Sequence, residues 1–212
     1  MSKITKIEQC KRNKERVNIY IDEEFAFAIY MELVYRFNLK VNEEVDKEKL
    51  IEIAKVENLS KCKDSALKTI ERSYKTEKEI RDKLLNKEFD EETVEKTINF
   101  LKEYTFIDDL KFTKMYVKDR IRTQGRNKIK YALIQKGVNK YLVDEVLEEL
   151  DRNDEEERAL LICEKKYLTI CKREDDDFKI KNKLIRYMLG RGYEYEVARN
   201  VVSKIYLQYK GE

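Results

Sequence analysis

IRDKLLNKEFDEETVEKTINFL (residues 80–101), IKYALIQKGVNKYLVDEVLEEL (129–150) and LIRYMLGRGYEYEVARNVVSKI (184–205) decide the reading of this chain. In the first stretch the apolar positions are Ile80, Leu84, Phe89, Val94, Ile98 and Leu101. Shifted by 49, they become Ile129, Leu133, Val138, Val143, Leu147 and Leu150; by a further 55, Leu184, Met188, Tyr193, Ala198, Val202 and Ile205. The spacing is helical on both sides of a break. The slot before the break is basic each time, Lys87, Lys136 and Arg191, and the next is Glu88, Gly137 and Gly192. Glycine suits a left-handed residue that ends one helix and turns into the next. At Glu88 a more strained or differently shaped turn is expected.

A further helix precedes each pair, over about 61–73, 108–123 and 153–171. The repeat is therefore a three-helix unit of roughly fifty residues, a size whose core calls for stacking on neighbours. Thr76 with Glu79 has the form of a capping box, and Asp90, Asp108 and Asp154 suit helix starts. The first sixty residues differ. β-Branched Ile4, Val17, Ile19 and Ile21 alternate with polar residues, predicting a hairpin of about 3–10 and 16–22 around Lys11-Arg12-Asn13-Lys14-Glu15. Phe25, Phe27 and Ile29 suit a third strand after Asp22-Glu23-Glu24. Helices are expected from Tyr30 and from about Lys47. The expected architecture is mainly all-α: three tandem three-helix repeats (61–106, 107–152, 153–212), elongated, behind a small β-hairpin and helix region (1–60).

Composition agrees. The 212 residues include no proline and five glycines, so helix breakers and tight-turn formers are scarce. No histidine is present, which excludes Ser-His and Cys-His catalysis and His-ligated metals. Cys10, Cys62, Cys163 and Cys171 form no C-x-x-C pair and read as reduced, mostly partly buried thiols. No signal peptide or membrane-spanning stretch is evident, so a cytoplasmic, soluble monomer is expected.

Charge is uneven along the chain. Lys111, Lys114, Lys118, Arg120, Arg122, Arg126, Lys128, Lys130, Lys136 and Lys140 stand against Asp119 alone, and an acidic run from Asp144 to Glu157 follows. Lys111, Lys114, Lys118 and Arg122 recur every three or four residues, on one helix face. With Tyr116 and Tyr131 interleaved, the segment reads as a phosphate-tracking surface. The alternative is pairing with the acidic helix of the same repeat. Tyr104, Tyr116 and Tyr131 could stack on bases, although packing with the hydroxyl at the surface is the simpler role. Asp108-Asp109-Leu110-Lys111 contains a D-x-K triplet, as some metal-dependent nucleases do. Glu164-x-Lys166 repeats that form, and at 42% charged residues such triplets arise by chance. Asp108 and Asp109 are better explained as helix-start acids, and no phosphate-binding G-x-x-x-x-G-K-[ST] loop occurs. No enzyme, cofactor or metal is indicated.

These residues resemble the RecX regulatory proteins, which act on the RecA recombinase. The resemblance rests on Ala66-Leu67, Glu71-Arg72-Ser73 and Glu79 to Leu84, then Ile107-Asp108-Asp109 with Phe112 and Tyr116-Val117. It continues through Gly125-Arg126-x-Lys128-Ile129, Leu133 to Val138, and Leu189-Gly190-Arg191-Gly192-Tyr193. Leu39-Lys40 to Asp46 is similar to the longer Gram-positive type. Tyr74-Lys75, Thr113, Glu88 and Asn42 depart from the pattern inside a matching frame. The resemblance implies a non-catalytic regulator lying along the groove of the RecA–DNA filament, inhibiting ATP hydrolysis and strand exchange. Its partners would be the RecA filament and single-stranded DNA, or double-stranded DNA. The other reading is a general DNA-binding protein that acts without RecA.

Overall fold

β1 (Ser2–Gln9), β2 (Arg16–Ile21) and β3 (Glu24–Tyr30) form an antiparallel sheet, and the short β4 (Glu44–Val45) pairs with the start of β1, giving the order β3-β2-β1-β4. The structure is a computed structural model that describes residues 2–11 and 13–211, with residues 152 and 153 as backbone only. The expected hairpin and third strand are present; Arg12 of the polar turn lies outside the described residues. The alternation works as read. Ile4, Val17, Ile19, Ile21 and Ile29 are buried in one cluster with Leu33, Leu39, Leu50 and Ala54. The β2–β3 link places Asp22 and Glu23 at φ 52° and 69°, the sign that matches strand twist in a two-residue hairpin. Without glycine there, side-chain bonds hold it: Lys3 N–H donates to Asp22 Oδ1 (2.9 Å) and Glu23 N–H to Thr5 Oγ1 (3.0 Å).

α1 (Met31–Arg36) leads to α2 (Lys47–Arg72), capped by Asp46, whose side chain accepts from Lys49 N–H. The sequence suggested two helices here, with a domain boundary at 60–61. The boundary falls inside one helix of 26 residues. Nothing in 47–72 breaks it: glycine and proline are absent, and Asn58 turns its side chain away from its own backbone, donating to the Ala28 carbonyl (2.6 Å). Leu50 and Ala54 of α2 pack on the sheet, while Cys62 and Ala66 pack in the first three-helix core.

The chain divides into two compact units, Met1–Asp108 and Asp109–Glu212. The first holds the sheet and a three-helix group made by α2, α3 (Glu77–Asn86) and α4 (Glu91–Glu103). The second holds α5 (Asp109–Arg120), α6 (Arg126–Gln135) and α7 (Lys140–Glu148), then α8 (Arg152–Ile170), α9 (Asp177–Gly190) and α10 (Tyr195–Lys210). Each group has its own core. All the repeated apolar slots are buried except Leu150, half-buried just beyond α7. The Thr76–Glu79 capping box is formed, and Asp90 caps α4. Asp154 lies in the first turn of α8. The thiols are free; Cys10, Cys62 and Cys163 are fully rather than partly buried, and Cys171 is half-buried. Desolvation pushes Cys62 and Cys163 up to about 11, so both stay protonated at neutral pH.

The turns between the paired helices share one shape. Glu88, Gly137 and Gly192 have φ 64°, 89° and 91°. Phe89, Val138 and Tyr193 N–H donate back to Leu84, Leu133 and Met188 carbonyls (3.4, 3.1 and 3.2 Å), as in a Schellman ending. The departure expected at Glu88 is therefore not one of shape. A side chain at this φ costs on the order of 1–2 kcal/mol, and Arg16 offsets it. This guanidinium is 1% exposed. It donates to the Glu88 carbonyl (2.5 Å), the Ala28 carbonyl (3.2 Å) and Asn58 Oδ1 (3.4 Å), and lies 4.7 Å from the Phe89 ring centre. Asn13 N–H also donates to Glu88 Oε2 (3.0 Å).

The Gly192 turn carries a tighter contact. Gly125 N–H donates to the Arg191 carbonyl (2.9 Å) and Asn127 N–H to the Gly192 carbonyl (3.1 Å). A Cβ on Gly125 would lie 2.5 Å from the Gly192 carbonyl carbon; one on Gly192 would lie 2.3 Å from Lys128 Cβ. The start of α6 and the end of α9 thus meet backbone to backbone. At an ordinary helix start Gly→Ser is favourable by a few tenths of a kcal/mol. Here the sign should reverse: Gly125→Ser is expected to cost about 2–3 kcal/mol by overpacking in equilibrium denaturation, and a neutral or stabilised variant would show that the two backbones do not touch.

Candidate nucleic-acid interface

α5 exposes apolar residues, Leu110 and Met115, as well as its lysines. Phe112, Thr113 and Val117 face the core of the second three-helix group, which leaves Lys111, Lys114 and Lys118 exposed on the other side. Thr113 is tolerated in that core because its hydroxyl donates to the Asp109 carbonyl one turn back (2.6 Å). The helix stops at Arg120, where the Thr123 and Gln124 N–H groups both donate to the Arg120 carbonyl (3.0 Å each). Arg122, expected to extend the helical face, therefore sits in the turn that follows. Lys118 and Arg122 are exposed and make no ion pair among the described residues. Lys114 meets Glu149 at 3.6 Å with both side chains about half exposed, a contact worth little in water. Arg120 pairs with the neighbouring Asp119 (3.3 Å) and lies 5.6 Å from the Tyr116 ring centre.

The later basic residues are held differently. Arg126 forms an ion pair with Glu155 (2.5 Å) and donates to the carbonyls of Leu147 (3.1 Å) and Leu150 (2.9 Å). It closes the C-terminal end of α7, where the helix dipole favours a cation. Lys130 pairs with Asp144. Lys128 Nζ donates to the Gly190 carbonyl (3.3 Å), and Lys136 lies 5.9 Å from the Phe112 ring centre. So pairing with the acidic helix of the same repeat, weighed from the sequence, describes Lys130 with Asp144 and, loosely, Lys114 with Glu149, while Arg126 reaches Glu155 of the following repeat. Lys111, Lys114, Lys118, Arg120 and Arg122 are exposed around α5.

The tyrosines separate as well. Tyr116 is half-buried against Phe112, with ring centres 5.9 Å apart. Tyr104 and Tyr131 are 58% and 64% exposed, more open than a packed ring with only its hydroxyl in water. Sequence reading missed the Arg16 network and the Gly125–Gly192 contact. A signal for the second was present: Gly125 occupies the helix-start slot that Thr76 fills in the first repeat, 49 residues earlier.

Among the described residues no cluster of His, Cys, Asp and Glu could hold a metal ion, and no helix is long and apolar enough to cross a membrane. Compared with known proteins, the chain matches the regulatory protein RecX N-terminal domain over residues 2–46. It matches the RecX first, second and third three-helix domains over 62–101, 108–147 and 154–202. It is 51% identical to the regulatory protein RecX of Clostridium beijerinckii, over 97% of this chain and 96% of that one. To the regulatory protein RecX of Clostridium tetani it is 49% identical, over 97% and 95%. A crystal structure of regulatory protein RecX superposes with a TM-score of 0.64 at 27% identity, covering 100% of both chains. The fold is also that of RecX from Lactobacillus salivarius, with a TM-score of 0.66 over 72% of this chain and 99% of that one.

A nucleic-acid contact on the exposed face of α5 would be read in its salt dependence. If its five cations each meet a single-strand phosphate, log K should fall against log salt with a slope of about −3.5. Alanine at Lys114, Lys118 and Arg122 should flatten the slope to about −1.4, read by fluorescence anisotropy across a salt series. An unchanged slope would move the contact off α5.

Proposed function

Because the chain belongs to the RecX family of regulatory proteins, we propose that it is a non-catalytic regulator that binds the RecA filament on DNA and lowers its ATPase and strand-exchange activity. The observation that carries this reading is the order of its parts: four RecX segments follow one another along nearly the whole chain. A regulator of this kind needs no reacting group. It needs only unequal affinity for different states of its target. The exposed cations of α5 supply an electrostatic contact to phosphates or to acidic protomer surfaces, which favours encounter and register. A cytoplasmic location and modulation of DNA repair and recombination follow from that partner.

A general DNA-binding role is the competing reading, favoured by the exposed Lys118 and Arg122, which make no ion pair among the described residues. The two separate in one assay. Purified protein should suppress the DNA-dependent ATPase of the cognate RecA at less than one regulator per protomer, and the inhibition should persist with single-stranded DNA in excess. Reversal of Lys118, Arg120 and Arg122 to Glu should weaken it. Full recovery of ATPase on adding DNA would mean simple competition for DNA and would overturn the filament reading.

A further inference from the structure

In the first compact unit, α2 carries Lys61, Ser65, Lys68 and Arg72 at steps of four, three and four, so these side chains share one helix face. Lys87, at the end of α3, donates through Nζ to Ser65 Oγ (2.7 Å), which lays the α3 face of Lys83 and Lys87 beside that stripe. Lys75 lies in the link between the two helices. Two like-charged pairs, Lys68 with Arg72 and Lys83 with Lys87, thus stand side by side, each at a spacing that destabilises a helix. The crowding is felt at Lys83. Desolvation, then the charges of Lys87, Arg72 and Lys75, hold its ammonium below the ordinary lysine range. Lys68, Arg72 and Lys83 are exposed and Lys75 is half-exposed. None of the four makes an ion pair among the described residues, although Asp64, Glu71 and Asp82 are close in the chain. We propose that this patch binds single-stranded nucleic acid, with Lys68, Arg72, Lys75 and Lys83 on phosphates and Tyr74 stacked on a base.

The helix dipole accounts for one of these cations. Arg72 sits in the last turn of α2, where positive charge is favoured. Lys75 and Lys83 lie beyond that helix and have no such reason to gather there. A partner with repeated negative charge relieves the repulsion of all four together, and a phosphate backbone supplies it. An acidic protein surface fits less well, because lysine is depleted at protein–protein interfaces.

Tyr74 decides between a single and a double strand. Ser73 ends α2 with extended backbone (φ −170°, ψ 148°), and the Tyr74 side chain that follows is 55% exposed between Arg72 and Lys75. An exposed ring flanked by cations is a platform for an unstacked base, whereas duplex bases are already stacked on one another. All these residues belong to the unit Met1–Asp108, while α5 belongs to the other. The patch is therefore a second nucleic-acid contact, and its phosphates add to the share of the salt dependence that α5 contributes.

This inference rests on the DNA contact in the proposed function and not on the recombinase, so the first arm of its test omits RecA. Binding to labelled oligodeoxythymidine is followed by fluorescence anisotropy at low salt. One variant combines Lys68→Ala, Arg72→Ala, Lys75→Ala and Lys83→Ala; a second is Tyr74→Ala. A control removes the same charge from exposed positions elsewhere in the unit, Lys3, Lys40, Lys49 and Lys55. The patch variant should bind at least about tenfold more weakly than the control. Tyr74→Ala should lose about fivefold or more. A patch variant no weaker than the control would overturn the proposal, and Tyr74→Ala within about twofold of wild type would overturn the single-strand assignment. The second arm repeats the binding on RecA filaments. A loss seen only there, with free DNA bound as by wild type, would assign the patch to protein and also overturn the proposal. Wild type that binds DNA through the patch but gains nothing from RecA would sink the filament reading and leave this one standing.

Discussion

Gly125 and Gly192 meet with no side chain between them, and the second compact unit is organised around that contact. The close approach lets the first N–H groups of α6, which a helix normally leaves unpaired, donate to the last carbonyls of the α9 turn. One set of bonds thus satisfies both a helix start and a helix end. It also explains why α6 begins on glycine while α3 begins on Thr76, whose hydroxyl caps α3 directly. Around the contact, Arg126 turns inward to the carbonyls at the end of α7 and to Glu155 of α8. Two small cores are joined mainly by backbone and charge-assisted bonds.

The first unit solves the same problem with other chemistry. Its turn residue is Glu88, and the joining donor is a buried side chain, Arg16, reaching from the sheet. Its two terminal nitrogens donate to neutral carbonyls and an amide, and aromatic rings flank it, while its buried Nε has no hydrogen-bond partner among the described residues. Removing it would strand the acceptors and expose the strain at Glu88 together, which ties the sheet to the first three-helix group more firmly than their shared α2 alone. In both units the left-handed turn is where a neighbouring element docks.

Much of the fold was legible because it depends on periodicity. The apolar slots, the basic residue before each turn and the capping residues are local patterns, and they fixed the three-helix groups and the family resemblance. The unbroken α2 was less legible, since Glu57-Asn58-Leu59-Ser60-Lys61 is polar enough to suggest a break. Only the tertiary bond from Asn58 to Ala28 shows that it is not one. The candidate surface was half legible. A run of lysines and arginines gives charge, but whether each points outward depends on partners distant in sequence. Arg126 finds Glu155 and two carbonyls, whereas Lys118 is exposed and makes no ion pair among the described residues. The end of α5 at Arg120, set by backbone bonds in the next turn, removes Arg122 from a face that spacing alone would extend.

If the glycine contact is what makes the α6 start and the α9 turn one cooperative element, amide hydrogen exchange reads it directly. In an isolated helix the amides at positions 125 and 127 would exchange as open N-terminal groups. Here they are bonded to Arg191 and Gly192. Under native conditions they should exchange with the same free energy of opening as the buried core amides of α9 at Leu184 and Met188, because only a global or unit-wide opening breaks them. Exchange of Gly125 and Asn127 at the rate of a fraying helix end, with α9 still protected, would contradict the account.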